Sequence, residues 1–442
     1  MLSATYRELL GKNRNYRRLW MGQLISELGT WFSFIAELGL VRALSGSPLA
    51  TTALLVARTM PFFLAGPLAG VIVDSRSRKQ IMIAADLLRA AVAMLYLAAA
   101  WMGSVWGVVA CSAMMSSLTM FFEAAKNAAL PNMVTPRELL TANVLMFSTR
   151  FLQFTLGAAL GGLTAAQFGY NVAFIVNSLS FVGSAVYIAL IPSGVMQRAE
   201  TTRHQKVGSE AGLEAGAGEA AQGRFFQDLR EGLAYIWATP FVRGVILINI
   251  GWATGGGMVN LLFDRVGGHI FAGEGSRGDW SVATLFTAGG AGIFIGMMLA
   301  RRAGAWAAQE RRAGLFIGWS LIAHGIFLAM GGLMPTLALM AVWVAASRLI
   351  LGMEFGVQET MMMRVLPDEY RGRVFTTDRA LEIMMMTIST AVGGWLLIWL
   401  DPRTLMIMSG LLSAVPGVVW LLAVCLTRFE VPAGAVRQSY GD

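Results

Sequence analysis

Long apolar runs follow one another along the chain, from near Leu19 to near Leu426, and short polar segments separate them. A helix needs about 20 mostly apolar residues to cross the roughly 30 Å hydrocarbon core of a bilayer. Each run is long enough, so the pattern predicts about twelve membrane-spanning helices. The predicted spans lie near residues 18–44, 49–73, 80–102, 104–128, 139–165, 169–191, 241–263, 281–300, 313–334, 337–362, 377–400 and 404–427.

Basic residues are concentrated in alternate connections between these spans. They are Arg76, Arg78 and Lys79; Arg137; Arg198, Arg203, Lys206 and Arg224; Arg301, Arg302, Arg311 and Arg312; and Arg371 and Arg373. The opposite connections carry only Arg265 and Arg277, diluted by acidic residues, and Arg403 beside Asp401. Because basic loops stay on the cytoplasmic side, the pattern predicts a multi-pass protein of the cell (inner) membrane with both termini in the cytoplasm.

Composition agrees with this topology. The chain of 442 residues is 56% hydrophobic and 14% charged, whereas a soluble domain averages about 25% charged residues. The 34 basic residues exceed the 26 acidic ones by 8. Membrane topology explains this excess, so no nucleic-acid partner is predicted. The two cysteines lie in apolar runs and indicate no disulfide, and no metal or other cofactor is expected.

The region 192–240 interrupts the alternation of spans. Its centre, 208–219, is rich in Gly, Ala and Glu, which is typical of a flexible linker. Apolar residues then recur at helical spacing over 226–236 and predict an amphipathic helix at the membrane surface. The predicted domains are an N-terminal six-helix bundle (1–191), a cytoplasmic linker (192–240) and a C-terminal six-helix bundle (241–442).

The two halves share a feature at corresponding places. Gly70 precedes the basic turn after the second span, and Gly296 precedes the basic turn after the eighth. Parallel internal repeats of this kind are typical of secondary transporters.

Two motifs narrow the assignment. The turn after span two contains Gly70, Asp74, Arg76, Arg78 and Lys79, and span five contains Gly157, Gly161 and Gly162. With segments such as 13–23, 57–61 and 366–374, they resemble the major facilitator superfamily, in the branch of enterobactin exporters and macrolide efflux proteins. The resemblance implies an all-α integral membrane fold of two six-helix bundles.

The resemblance also implies roles for the two motifs. Asp74 would help to close the cytoplasmic side, because a carboxylate there can approach the positive N-terminus of a neighbouring helix. The span-five glycines correspond to a signature of antiporters, although Ala158 stands where that signature has Pro.

Charged residues inside the predicted spans are the main functional candidates, since each costs roughly 3 kcal/mol or more to insert. At about 1.5 Å per residue, Glu37 and Arg58 share one depth, and Glu27 and Arg150 share another. Either these are structural ion pairs, or a glutamate changes partner during transport and carries a proton. Glu27 is deeper and is preferred to Glu37. The full set is Glu27, Glu37, Arg58, Arg150, Arg348 and Glu354.

In the resembled fold, spans one, four, seven and ten line the transport cavity. Their candidate lining residues are Trp31, Phe34, Phe121, Asn249, Trp252, Asn260 and Gln358, together with the interior charges. Such a mixture suits an amphipathic organic solute, although each aromatic could face lipid instead.

These features predict a secondary exporter of drug-, macrolide- or siderophore-like molecules that works by alternating access. No P-loop occurs, so ATP is not the direct energy source, and the proton gradient is the expected driver. No nucleophile–base constellation suggests an enzyme. The expected partners are a small-molecule substrate, protons and the lipid bilayer, with the protein a monomer. Two alternatives remain open: a lipid or lysolipid flippase, and a membrane sensor that does not transport.

Overall fold

The apolar runs form helices, as their lengths predict. The structure, a computed structural model, describes residues 2–197, 230–272, 278–307 and 310–426, and these ranges contain helices and no strand. The helices are α1 (Leu2–Lys12), α2 (Arg14–Leu44), α3 (Pro48–Thr59), α4 (Pro61–Ser75), α5 (Arg78–Trp101), α6 (Val105–Met133), α7 (Pro136–Phe168), α8 (Tyr170–Ala189), α9 (Ser193–Met196), α10 (Pro240–Gly256), α11 (Val259–Arg265), α12 (Asp279–Ala307), α13 (Glu310–Leu333), α14 (Leu337–Val365), α15 (Asp368–Leu396) and α16 (Pro402–Leu426).

Among the described residues, ten helical segments are long and apolar enough to cross a membrane. One of them, Pro240–Ile270, joins α10 and α11 to a π-helical turn. The second predicted span is divided, because α3 and α4 meet at Met60. The eleventh, α15, has the length but carries charged residues such as Asp378 and Glu382. With these two, the all-α membrane fold of about twelve spans is confirmed.

Side-chain caps mark several turns between the spans. The Oγ of Ser104 accepts a hydrogen bond from the amide of Gly107 at 3.0 Å, which starts α6 directly after α5. Thr135 and Glu138 form a capping box at the start of α7. These caps satisfy amide groups that a helix leaves without an internal partner.

Contacts divide the chain into two compact units. The first contains residues 1–46 and 56–223, and the second contains residues 47–55 and 224–442. The first part of α3 therefore packs with the second unit. The boundary at 223 falls inside the predicted linker, and the predicted domain limits stay a prediction.

In the first unit, α2 packs against both α7 and α8. The Nε2 of Gln153 on α7 donates to the carbonyl oxygens of Gln23 at 3.3 Å and Leu24 at 2.9 Å. Nearer the N-terminal ends of both helices, the hydroxyl of Tyr16 donates to the carbonyl oxygen of Ala142 at 2.8 Å. These bonds fix α2 against α7 through the length of the bundle.

Arg265 lies in a different place from the sequence-based expectation. It ends helix α11 with 2% of its surface exposed, whereas the charge pattern placed it in a loop. Its guanidinium donates to the carbonyl oxygen of Ser47 at 2.6 Å and to the Oγ1 of Thr51 at 2.7 Å. These acceptors and the carboxylate of Asp264, 3.8 Å from the Nε, belong to the same unit, so the charge is held in the interior and the helical segment continues to Ile270.

Only part of the predicted linker region is described. The stretch 199–222, predicted to be flexible, lies outside the described residues. Residues 230–238 are helical, and there the ring of Tyr235 stacks on Tyr370 at 4.5 Å while Ile236 is buried in the core of the second unit. Of the predicted apolar face, Ile236 packs on the bundle, whereas Leu233 is exposed and the residues before 230 lie outside the described part of the chain. The position of this helix at the membrane surface stays a prediction.

Candidate functional site

A polar cavity of about 230 Å³ lies inside the first unit, between α2, α6 and α7. Two carboxylates, two cations and four carboxamides line it, with three apolar side chains. These residues are Glu27, Glu123, Lys126, Arg150, Gln23, Asn127, Asn143, Gln153, Leu130, Met146 and Phe147. The sequence analysis named Glu27 and Arg150, and the structure brings both to the same cavity.

One pair of charges in the cavity is neutralised internally. The Nζ of Lys126 donates to the Oε1 of Glu123 at 2.6 Å, one helical turn away on α6. Opposite charges three residues apart lie on the same helix face and attract each other. The side chains of Lys126 and Glu123 are 12% and 24% exposed, so the pair forms part of the cavity wall.

The other two charges remain apart. The Oε1 of Glu27 accepts a hydrogen bond from the Nε2 of Gln23 at 3.0 Å. Arg150 is attracted electrostatically by Glu27 and Glu123. Within the described residues, however, neither Glu27 nor Arg150 makes an ion pair within 4 Å. Glu27 and Arg150, which lie at equal depth along their spans, therefore line one cavity but do not pair directly.

The span-five glycines hold α7 close to α2 beside this cavity. A Cβ atom added at Gly161 would lie 2.4 Å from the carbonyl oxygen of Phe32, and one at Gly157 would lie 2.5 Å from the Cβ of Trp31. Gly162 is also buried. Only residues without a side chain permit this approach, so the motif has a packing role here.

The second predicted pair forms directly. The guanidinium of Arg58 donates to the Oε2 of Glu37 at 2.8 Å, and it lies over the ring of Phe34 at 4.6 Å. Glu37 is 1% exposed and also accepts from the Oγ of Ser112 at 3.1 Å. The charge of Glu37 is therefore compensated in the buried interior of the unit.

The predicted aromatic lining is mostly packed. The ring of Trp31 contacts Phe34 edge-on at 5.8 Å and Phe154 at 4.4 Å. Phe34 is 3% exposed, and Phe121 is half-buried. None of Trp31, Phe34 and Phe121 is among the residues that line the described cavity.

A second polar centre occupies the other unit. The Nε2 of Gln358 donates to the Oε1 of Glu354 at 3.1 Å and to the Oδ1 of Asn249 at 3.0 Å. The Nδ2 of Asn249 in turn donates to both carboxylate oxygens of Asp378, at 3.2 Å and 3.1 Å. Three predicted candidates thus form one network, and Asp378 extends it.

The remaining candidates of this unit lie apart from that network. The Nε1 of Trp252 donates to the Nε2 of the buried His324 at 3.1 Å, and Asn260 is exposed. Arg348 is 8% exposed and lies 5.8 Å from the ring centre of Phe263. Within the described part of the chain, Arg348 pairs with no carboxylate, and no group of His, Cys, Asp or Glu side chains is arranged to hold a metal.

Known proteins of similar structure and sequence support one architecture. A crystal structure of a bacterial homologue of the human lysosomal transporter Spinster superposes with a TM-score of 0.69 at 13% identity, over 93% of this chain and 97% of that one. The chain has the major facilitator fold. The predicted resemblance to the major facilitator superfamily is confirmed by the sequence relatives, whose names are those of transporters and not of enzymes.

Sequence relatives narrow the class of transporter. A family described as transmembrane secretion effector matches residues 11–217. Macrolide efflux protein A of Streptococcus pyogenes is 24% identical over 84% of this chain and 86% of its own length. The multidrug efflux pump Tap of Mycolicibacterium fortuitum is 24% identical over 79% and 81%. These relatives support a membrane exporter.

The basic turn after α4 also connects helices of the transporter, through hydrogen bonds from Arg78 and Lys79 to backbone carbonyl groups. The guanidinium of Arg78 donates to the carbonyl oxygens of Ala128 at 2.9 Å and Met196 at 3.2 Å. The Nζ of Lys79 donates to the carbonyl oxygens of Ala189 and Ile191, both at 2.7 Å. Cations at the carbonyl ends of helices stabilise them, so these two residues join α5 to the ends of α6, α8 and α9.

The other members of that motif are less constrained. Arg76 is exposed, and a Cβ atom at Gly70 would meet nothing within 4 Å. Asp74 lies in α4, and its side chain is outside the described part of the structure. Its gating role stays a prediction.

Sequence analysis missed several interior charges of the transporter. Asp86 and Arg89 form a buried ion pair in α5, and the guanidinium lies between the rings of Phe122 and Phe181 at 4.3 Å and 4.5 Å. In α15, Arg379 donates to Glu382 at 2.7 Å. The spacing of opposite charges in the sequence could have identified these pairs. Both, like Glu123–Lys126, join opposite charges three residues apart on one helix.

Proposed function

We propose that the transporter is a proton-driven exporter of small amphipathic organic molecules that works by alternating access in the cell membrane, as a monomer. The observation that supports this most directly is the unpaired carboxylate of Glu27 in a polar cavity within a membrane-spanning bundle. A carboxylate that water can reach in such a place can bind and release a proton, as acidic residues of transporters do.

Glu27 suits proton coupling better than Glu37. Glu37 is closed off from the cavity and neutralised by Arg58 at 2.8 Å. Separating Glu37 from Arg58 would leave two buried charges without partners, which costs several kcal/mol or more. Glu27 gives up only a hydrogen bond from Gln23, so a change of its protonation state disturbs less of the bundle.

Charged groups on three neighbouring helices act on Glu27. Arg150 on α7 attracts it, and the Glu123–Lys126 pair on α6 shares its cavity. Asp86 on α5 also interacts with it electrostatically, next to its own partner Arg89. A proton or a cationic group of the cargo lowers the negative charge at Glu27. The two therefore compete for the same site, which is the requirement for exchange.

Transport in proteoliposomes with an imposed pH gradient tests the proposal. The probe is radiolabelled erythromycin, a macrolide, and the variants are Glu27→Gln and Glu37→Gln. We expect wild-type protein to concentrate the probe against its gradient and Glu27→Gln to lose this uphill transport while it still exchanges probe downhill. Glu37→Gln should retain coupling in the fraction of protein that is folded.

Three results would count against the proposal. Uphill transport by Glu27→Gln but not by Glu37→Gln would move the coupling site to Glu37. Normal pumping by both variants would return these carboxylates to a structural role. Movement of labelled lysophospholipid between leaflets, without erythromycin transport, would favour the lipid flippase.

A further inference from the structure

The cavity in the first unit contains equal numbers of positive and negative groups. Glu27 and Glu123 are balanced by Lys126 and Arg150. A solute with one charge alone would bring a net charge into this site, and a net charge in a low-dielectric environment is costly. A solute that carries both charges leaves the balance unchanged.

One wall of the cavity presents a carboxylate that no cation contacts. Within the described residues, Glu27 makes no ion pair and accepts one hydrogen bond, from the Nε2 of Gln23 at 3.0 Å. A carboxylate has about four lone-pair sites, so Glu27 can accept further hydrogen bonds from a solute, and an ammonium group has three N–H donors. This wall therefore suits an ammonium group.

Another wall presents donors without an anion. Arg150 is exposed to the cavity, and within the described residues it makes no hydrogen bond. Its guanidinium is a rigid planar donor that binds carboxylate or phosphate through two parallel hydrogen bonds.

The size and remaining surface of the cavity set the limits of the ligand. Its volume of about 230 Å³ equals that of roughly seven or eight water molecules. Phe147 and Met146 offer apolar contact beside the charged groups. The space fits a small solute, or the polar end of a larger amphipathic one.

We infer that this cavity is a subsite for zwitterionic solutes, in which Glu27 binds an ammonium group and Arg150 binds a carboxylate or phosphate of the same molecule. The inference deepens the proposed export function, because it names the chemistry of the cargo. It excludes purely cationic or purely anionic compounds as preferred ligands.

Binding of three matched peptides to the purified, detergent-solubilised transporter tests the inference. The probes are phenylalanylglycine, its C-terminal amide, which lacks the negative charge, and its N-acetyl derivative, which lacks the positive charge. A hydrogen bond to a charged group contributes about 1.5–3 kcal/mol, and about 1.4 kcal/mol corresponds to tenfold in affinity. Isothermal titration calorimetry should therefore show at least about tenfold tighter binding of the zwitterion than of either derivative.

Two variants assign the charges to their sites. Glu27→Gln should abolish the preference over the N-acetyl derivative, and Arg150→Gln should abolish the preference over the amide. Glu8→Gln and Arg364→Gln make the same changes outside the cavity and should leave both preferences intact. Equal affinity of wild-type protein for the three probes, or no binding of any, overturns the inference without the need for a variant.

Two further arms separate the sources of the ligand and the two proposals. Lysophosphatidylethanolamine carries an ammonium and a phosphate on a lipid, so tighter binding of it than of its N-acetyl form would identify a lipid headgroup as the zwitterion. Erythromycin export without a zwitterion preference would overturn this inference and leave the exporter proposal standing. A preference for the zwitterion without any export would overturn the exporter proposal and leave this inference standing.

Discussion

Two ion pairs of the first unit and the network around Glu354 in the second unit compensate buried carboxylates in different ways. In the first unit, carboxylates meet cations: Glu37 binds Arg58 and Glu123 binds Lys126. In the second unit, Glu354 and Asp378 bind the carboxamides of Gln358 and Asn249. Carboxamides donate hydrogen bonds but bring no charge, so this second network keeps an excess of negative charge wherever its acids are ionised.

This difference indicates a division of roles. A balanced set of charges can bind a solute with both signs at little electrostatic cost, whereas an acidic network favours neutralisation by protons. Glu382 adds a third buried carboxylate near the second network, and the partner it binds, Arg379, is itself 55% exposed. The comparison predicts that loss of one charge from an ion pair of the first unit is more destabilising than loss of one charge from the network of Glu354 and Asp378.

The largest effect is expected when the Glu37–Arg58 pair is broken. Arg58→Met leaves a carboxylate that is 1% exposed without its cation, and such a loss costs about 3–5 kcal/mol. Chemical unfolding of the solubilised transporter measures it. The double variant Glu37→Gln with Arg58→Met should recover most of the loss. A cost of the single variant below about 1 kcal/mol, as at an exposed pair, would contradict this account.

A smaller effect is expected at the two glycines that occupy corresponding places in the units. A Cβ atom at Gly296 would lie 2.1 Å from the carbonyl oxygen of Leu349, whereas Gly70 has open space around it. Gly296→Ala should therefore cost about 1–3 kcal/mol through overpacking. Gly70→Ala, the matched control, should leave the free energy of unfolding unchanged or raise it by roughly 0.5–1 kcal/mol. Equal effects would mean that the two units pack alike at this point.

A still smaller effect is expected at Glu354. Glu354→Gln removes the charge but keeps an oxygen that accepts from Gln358, so the free energy of unfolding should change by less than about 1 kcal/mol. Glu123→Gln makes the same change in the first unit, where it leaves Lys126 without its anion, and should cost more. If Glu354→Gln proved the more damaging of the two, the proposed contrast between the units would be wrong.

The smallest effect is expected in the connecting segment. Replacement of residues 199–222 by a Gly/Ser stretch of equal length should leave purified yield and unfolding temperature nearly unchanged, because its composition cannot bury a core. A matched deletion within α13 serves as the destabilised reference. A sharp fall in yield after the replacement would show that the segment contributes to folding.

The fold could be read from the sequence because a bilayer demands long apolar helices. The departures have local causes. Span two divides at Met60, where Pro61 begins a new helix, and Arg265 is buried because Ser47 and Thr51 supply acceptors that are remote in sequence. A charge count along the chain cannot show such acceptors.

The candidate site was only partly predictable. Helical depth placed Glu27 level with Arg150, and both line the cavity. It could not show that they stay apart, because depth along a helix does not give the direction in which a side chain leaves it. Glu123 and Lys126 lie near the end of a predicted span, where charges are common, so their position alone did not mark them.

The bonds of the lysines have a practical consequence for chemical footprinting. The chain contains four lysines. Lys12 is exposed, Lys79 donates to two helix-end carbonyls, and Lys126 is engaged with Glu123 in the cavity wall. An amine-directed reagent should therefore modify Lys12 quickly and the two engaged lysines slowly. A solute that draws Glu123 away would then be registered as faster labelling of Lys126 alone, with Lys12 and Lys79 as internal standards in a single peptide map.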